Sequence, residues 1–257
     1  MRRQGFSEWL GNAVRYRGRL FLRYVRFGLT NWTPKGLVPS YRAYYPETII
    51  DLPEAEDLYR RWIRGNKVNN NADSSRFAAL VLNTRQLGQE GIQGDFAELG
   101  VWRGNSAAIL AHYAARDGRR LYLFDTFAGF DGRDLIGIDG AQSKIFADTS
   151  LEYAKGTIGH DDVTTYLSGF FPDTVTDEVR GRTYALAHID CDLYAPTKAA
   201  LEFFYPRMAK GGTIIMHDYE NWEGPTRAID EFCRATGEQI VRWPDRSGTV
   251  SVRVCRS

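Results

Sequence analysis

From residue 94 onward the chain repeats one pattern: a short apolar run, a helical stretch, then another apolar run. The runs read "GDFAEL", "RLYLFD", "VTTYLSG", "YALAHID" and "GTIIMHD". Helical periodicity fills most of the gaps, for example over 104–116 and 195–205. Strands that alternate with helices pair in parallel, with the helices covering the sheet. The last stretch, "EQIVRWPDRSGTVSVRV", reads as two strands around a turn at Pro244–Gly248, an antiparallel hairpin closing the sheet. The expected fold is therefore α/β and doubly wound, mostly parallel.

The first 70 residues read differently. Over residues 1–32, Phe6, Trp9, Leu10, Val14, Leu20, Phe21, Tyr24, Val25 and Phe27 fall on one side of a helix and Arg15, Arg19, Arg23 and Arg26 on the other, with Arg17 breaking the pattern by pointing into the apolar face. A basic amphipathic helix can lie on an acidic membrane, but packing on the domain or on a second subunit is the expected role. A Pro-rich, aromatic segment follows over 29–54, including "YRAYYPET", and reads as an ordered arm or lid. Two helices are expected next, at about 54–64 and 73–88, the second capped by Asp73 or Ser74. This divides the chain into an arm over 1–70, with a role in self-association, and a domain over 71–257.

Bulk properties exclude several classes. The net charge of +1 marks no nucleic-acid binder. No run of about 18 apolar residues predicts a membrane span. Three widely spaced cysteines, Cys191, Cys233 and Cys255, form neither a disulfide framework nor a zinc pattern, which fits a reducing, cytoplasmic setting.

The first strand leads into "DFAELGVWRGNS". Gly100 and Gly104 allow a sharp turn and close backbone approach to a ligand. A dinucleotide fingerprint would place a glycine where Trp102 stands, and an indole there obstructs a pyrophosphate. Glu98 would repel a phosphate and suits an ammonium group. Asp125, at the tip of the second strand, can accept ribose hydroxyls. Together these favour S-adenosylmethionine over a nicotinamide cofactor.

The later strands end in charge. Asp190, Asp192, His217 and Asp218 all lie at carboxyl ends, where open α/β sheets bind ligands. Neighbouring strands lie about 4.8 Å apart, so these groups can share one cation, and a hard divalent ion such as magnesium relieves their repulsion. Such an ion acidifies a nearby hydroxyl, and one carboxylate then serves as general base. The competing reading makes Asp192 and Asp218 simple helix caps. His188 lies deeper in its strand and reads as a hydrogen-bonded core histidine. Tyr194 and Tyr219 are expected to shape the pocket, and Cys191 to face away from the two aspartates beside it, buried and inert.

The motifs "FAELGVWRGNSA", "FDTFAGF", "SGFFPDT", "AHIDCDLYAPTKAALEFFYPRMAKGG", "IMHDY" and "GPTRAIDEF" resemble the macrocin, mycinamicin and novobiocin sugar O-methyltransferases over about residues 70–255. The resemblance implies a class I methyltransferase (Rossmann-like) fold with seven strands, S-adenosylmethionine and magnesium as cofactors, and a deoxysugar acceptor in antibiotic biosynthesis. That acceptor is either nucleotide-linked, like dTDP-rhamnose, or already attached to its aglycone. It also implies a homo-oligomer. Glu98, Gly100, Val101, Trp102, Ser106, Asp125, Phe127 and Asp190 would hold the methyl donor. Asp190 and Asp218 would bind the metal, and Asp192 would be the base. The family usually has two acids where this chain has His217-Asp218, so His217 is expected to ligate the metal or to aid proton transfer. Rival expectations are a catechol-type O-methyltransferase, a nicotinamide-dependent oxidoreductase, and a membrane-surface scaffold with an idle cofactor fold.

Overall fold

The strand order decides where a ligand can sit. In the computed structural model, which describes residues 53–66, 73–142 and 145–255, seven strands form one sheet. In chain order they are β1 (Asp95–Leu99), β2 (Leu121–Asp125), β3 (Thr164–Ser168), β4 (Tyr184–Ile189), β5 (Met208–Met216), β6 (Val241–Arg242) and β7 (Val250–Arg253). Their spatial order is β3-β2-β1-β4-β5-β7-β6. β1 to β5 pair in parallel, and β7 pairs antiparallel with both β5 and β6. The order reverses between β1 and β4, which opens a crevice beyond their carboxyl ends. The five apolar runs and the closing hairpin are thus all present. β6 is only two residues long and exposed.

Helices α1 (Pro53–Asn66), α2 (Ser74–Gln89), α3 (Asn105–Arg116), α4 (Leu151–Ile158), α5 (Asp177–Arg180), α6 (Tyr194–Phe204) and α7 (Glu223–Thr236) supply the crossovers and the flanks. α1, α2 and α4 each pack on α3, and α6 packs on α7. Asp73 caps α2, accepting the Ser75 and Arg76 amides at 2.9 and 3.3 Å. α1 belongs to the compact unit Leu52–Ser257. The amphipathic helix expected over 1–32 and the aromatic arm to residue 52 lie outside the described residues.

Strand alternation fixes the core. Ala97, Leu99, Tyr122, Phe124, Ala187 and Ile189 pack on one face against Phe203, Phe204 and Ile229 of α6 and α7. Phe204 is fully buried and stacks edge-on to Tyr184 at 5.2 Å. Each such side chain contributes about 1.5–3 kcal/mol by leaving water. All six residues of β4 are buried, so the charges just after it sit at the edge of a rigid slab.

Candidate functional site

A cleft of about 600 Å³ opens beyond β1, β2, β4 and β5. One wall is the loop between β1 and α3. Asp190 N donates to Leu99 O at 2.9 Å, drawing the ends of β1 and β4 together. Gly100, at φ 89°, fits there because a Cβ would lie 2.0 Å from the Asp190 carbonyl oxygen. The loop then curls over Asp125: the Val101 and Trp102 amides donate to its Oδ2 at 2.7 and 2.8 Å, and the Phe127 amide to Oδ1 at 2.6 Å. Trp102 (φ 48°) and Phe127 (φ 53°) adopt left-handed backbone, strained for bulky residues and held by those bonds. The Trp102 indole donates to Asp148 at 2.9 Å and meets Phe146 edge-on at 5.6 Å.

Of the residues expected to hold the methyl donor, Gly100, Val101, Trp102, Ser106, Asp125 and Asp190 line the cleft. Two expected members do not line it. Glu98 is fully buried behind the loop, where Oε1 accepts from Ser106 Oγ at 2.5 Å and meets His188 Nδ1 at 2.7 Å. Strand parity turns it away from the crevice and toward α3, so it anchors Ser106. Phe127 is buried and acts through its backbone amide.

The opposite wall carries the acids. One carboxylate oxygen from each of Asp190, Asp192 and Asp218 lies within 4.8 Å of the others. Asp192 (φ 61°) and Asp218 (φ 64°) both take left-handed backbone, which Asp tolerates better than most residues, and this turns them onto one site. Neither side chain caps a helix. α6 starts at Leu193 without a side-chain cap, and its Tyr194 amide goes to Asp139 at 2.7 Å; α7 likewise lacks a side-chain cap. Burial, then the charges of Asp218 and Asp190, push Asp192 far above the usual carboxylate range. Burial and Asp190 push Asp218 up to about 7. A hydrogen bond joins the two carboxyls. Burial would raise Asp190 as well, but the Arg76 guanidinium and the nearby imidazoles hold it below the usual range.

His217 requires a correction. It is 2% exposed, Nε2 meets His188 Nε2 at 2.6 Å, and Nδ1 meets Thr249 Oγ1 at 2.7 Å. Both ring nitrogens are engaged, so neither a ligand nor a proton-transfer role fits. Burial, then the charge of Arg76, lowers its basicity far below that of a free imidazole. His188 is the core histidine expected. Cys191 is also corrected: it follows the end of β4, where alternation no longer holds, and it lines the same cleft as its neighbours. Its Sγ contacts Thr197 Oγ1 at 3.3 Å, and burial pushes the thiol well up, so it is inert as expected. Tyr194 and Tyr219 turn away to Glu231 and Asp230 of α7, at 2.7 and 2.9 Å.

Sequence reading missed Arg76. It projects from α2, is 6% exposed, lines the cleft and forms an ion pair with Asp190. The signal was its place on the face of Leu80, Thr84 and Leu87, all buried. Asp134, on the loop between β2 and α4, was missed too and gave no signal.

The donor set fits a hard divalent ion: three carboxylates converge, and among the described residues no hydrogen bond takes Asp190 Oδ1 while Oδ2 faces Arg76. The other half fits a nucleoside with a charged tail, since Asp125 can accept hydroxyls and the Gly100 turn leaves room for close approach.

The family described as macrocin-O-methyltransferase (TylF) matches residues 72–242. A tetracenomycin rhamnosyl 4'-O-methyltransferase of Streptomyces olivaceus is 33% identical over 144 residues, 51% of this chain and 54% of that one. The mycinamicin III 3''-O-methyltransferase of Micromonospora griseorubida is 31% identical over 147 residues, 51% of this chain and 57% of that one. The matched stretch thus spans about half the length of these relatives. Among solved structures, the O-methyltransferase NovP superposes with TM-score 0.63 at 24% identity, covering 71% of this chain and 81% of that one. The O-methyltransferase TomG of Streptomyces achromogenes, in complex with SAM, gives TM-score 0.58 at 11% identity, covering 86% and 100%. At such identities these likenesses establish the fold, that of the class I O-methyltransferases. No helix among the described residues is long and apolar enough to cross a membrane.

Proposed function

The chain belongs to the macrocin O-methyltransferase family, and from that premise we propose that it methylates a hydroxyl of a deoxysugar in natural-product biosynthesis. The observation that carries the reading is the convergence of Asp190, Asp192 and Asp218 beside the pocket of Gly100 and Asp125. The names of the relatives, one acting on a rhamnosyl group and one on a mycinamicin, support the acceptor class.

S-adenosylmethionine, when bound, supplies a sulfonium methyl group, and a divalent ion, most naturally magnesium, supplies a fixed positive charge that eases deprotonation of a hydroxyl. Asp125 holds the ribose side, while the Val101 and Trp102 amides keep that carboxylate in place. Asp190 and Asp218 would hold the ion, and its charge would favour the ionised form of Asp192. Asp192 then accepts the proton of the acceptor hydroxyl, and the oxygen is freed to attack. Val101, Leu99 and Phe171 line the cleft with apolar surface, which keeps water from the opposite charges that meet there.

The test is mass spectrometry of products from labelled S-adenosylmethionine with a panel of deoxysugar acceptors, with and without EDTA. A transferred label that disappears on chelation supports the reading; transfer at full rate in demetallated protein removes the ion from it. Asp192→Asn is expected to lower turnover by about 10²–10⁴-fold. Self-association through the first helix and a cytoplasmic location belong to the same reading, and sedimentation of the full chain checks the former.

A further inference from the structure

Asp192 reaches the acid cluster through a turn that does not hold itself. Its φ is 61°, and the Leu193 amide donates across it to the Cys191 carbonyl at 2.7 Å. A three-residue turn with positive φ at its centre is rare and strained, and such strain persists only where neighbours fix both ends. The upstream end is fixed in the sheet, since the Asp190 amide donates to Leu99 O at 2.9 Å. The downstream end runs straight into α6, whose cap residue Leu193 offers no side-chain acceptor.

The acceptor comes from another part of the chain. Asp139 ends a 3-10 turn (Gly137–Asp139) in the loop between β2 and α4. It is buried, and its Oδ2 accepts the Tyr194 amide, the first of α6, at 2.7 Å. The first turn of α7 closes on the same carboxylate: a Cβ on Gly224 would lie 2.7 and 2.9 Å from its two oxygens and 2.6 Å from Tyr194 N. α7 has no side-chain cap of its own either. One carboxylate thus sits at the N-termini of two helices, where the aligned peptide dipoles favour negative charge. The turn is also tied internally. Asp139 N donates to Ile136 O at 3.1 Å, and Asp139 O accepts the Gln142 amide at 3.0 Å. Phe130, Asp131 and Asp134 of the same loop line the cleft.

Resting on the reading of Asp192 as general base, we propose that Asp139 is a positioning residue for the reaction. By binding the Tyr194 amide, its carboxylate holds the Asp192 turn in place and fastens the loop wall of the cleft to that same point. Asp139 touches no reacting group. Without it, the Tyr194 amide loses its acceptor, the strained turn relaxes, and Asp192 moves away from Asp218. Docking of the loop and placement of the base are then one event, and a cleft whose loop is undocked lacks a base.

The experiment compares Asp139→Ala, Asp139→Asn and Gly224→Ala in the full chain, at a temperature where each is folded. Labelled S-adenosylmethionine, magnesium and the sugar of the panel that takes the label are supplied. Asp139→Ala is expected to lower kcat about 10- to 100-fold, the loss typical of a reacting group misplaced by about 1 Å, with affinity for S-adenosylhomocysteine unchanged. Asp139→Asn keeps an oxygen for the Tyr194 amide and should recover most of that loss. Gly224→Ala keeps the acid but forces it off the amide, so it should resemble Asp139→Ala. The double variant should be little worse than either single one, because both break one contact. A merely stabilising cap would lower Tm in Asp139→Ala and leave kcat alone, and that result overturns the proposal. An asparagine variant no better than alanine overturns it too. Asp192→Asn at full rate brings down the base reading instead. If no sugar takes the label, crystal structures decide: Asp192 leaving left-handed backbone in Asp139→Ala supports the clamp, and Asp192 unmoved overturns it.

Discussion

Arg76 and Asp190 are 114 positions apart in sequence, yet the guanidinium of one is ion-paired with the carboxylate of the other at the back of the cleft. The pair fastens α2, which precedes the sheet, onto the end of β4. Trp62 of α1 joins it, donating to the Asp73 carbonyl at 3.0 Å, with the Arg76 guanidinium 6.0 Å from its ring.

Removing one partner of a buried pair strands the other, at a cost of about 3–5 kcal/mol. Arg76→Met is therefore expected to lower Tm by about 6–20 °C, at about 2–4 °C per kcal/mol for a domain of this size. Asp190→Asn should do much the same. The double variant should lose clearly less than the sum of the two, because both residues serve one interaction. Strictly additive losses in thermal denaturation would show that the pair is not coupled.

His217 separates a structural role from a ligand role. His217→Ala leaves His188 Nε2 without its buried partner, at about 1–3 kcal/mol, while Thr249 Oγ1 keeps its bond to Asp245. Tm should fall accordingly. Affinity for Mn²⁺, measured by calorimetry on the folded variant, should be unchanged, since the three carboxylates stand without the imidazole. A large loss of Mn²⁺ affinity would restore His217 to the metal site.

The difference between what could and could not be read from sequence lies in backbone conformation. β1 to β5 were legible because buried parallel strands are nearly continuous apolar runs, and their carboxyl ends named Asp125, Asp190 and Asp218. Parity fails once the chain leaves the strand. Asp192 and Asp218 turn through left-handed backbone, so Asp218 reaches the cleft while His217, still in line with β5, is folded into the sheet. Within β1, the same alternation that buries Phe96 also buries Glu98, a consequence that its charge obscured. Arg76, despite its place on the buried face of α2, and Asp134 were missed for a different reason. Each is placed by contacts distant in sequence, and an arginine on a helix or an aspartate in a loop resembles a solvated residue until its neighbours are known.

The acid cluster gives the metal-free protein a particular pH dependence. Asp218 titrates near 7 in the folded state, above the ordinary carboxylate value of 3.8. The folded state therefore binds the proton more tightly than the unfolded chain. That contribution is complete below about 3.8 and is lost as pH rises through about 7. Asp134, raised to about 6, acts in the same direction. Asp190, held below the ordinary range, acts oppositely and costs stability only in acid. Without metal, Tm should fall between pH 5 and 8. Magnesium should flatten that fall, because it replaces the proton as counter-charge, and Asp218→Asn should flatten it without metal. Asp134→Asn should reduce the remaining slope. A Tm independent of pH from 5 to 8 in EDTA would contradict the raised Asp218 and Asp134 carboxyls.

Gly100 tests whether the junction of β1 and β4 sets the geometry of the donor pocket. An alanine there must hold φ 89° and place its Cβ 2.0 Å from the Asp190 carbonyl oxygen. Neither neighbour can yield, since the Asp190 amide is tied to Leu99 O at 2.9 Å. The loop has to lift instead, drawing the Val101 and Trp102 amides off Asp125. Gly118 offers the control: it has φ 67° and nothing within 4 Å of an added Cβ, so alanine there meets the same backbone strain without the collision. Gly118→Ala should cost about 1–2 kcal/mol and leave affinity for S-adenosylhomocysteine intact. Gly100→Ala should weaken that affinity at least about tenfold, beyond any loss the strain alone predicts. Equal affinities in the two variants, measured by calorimetry at a temperature where both are folded, would mean that the close approach of β1 to β4 does not shape the pocket.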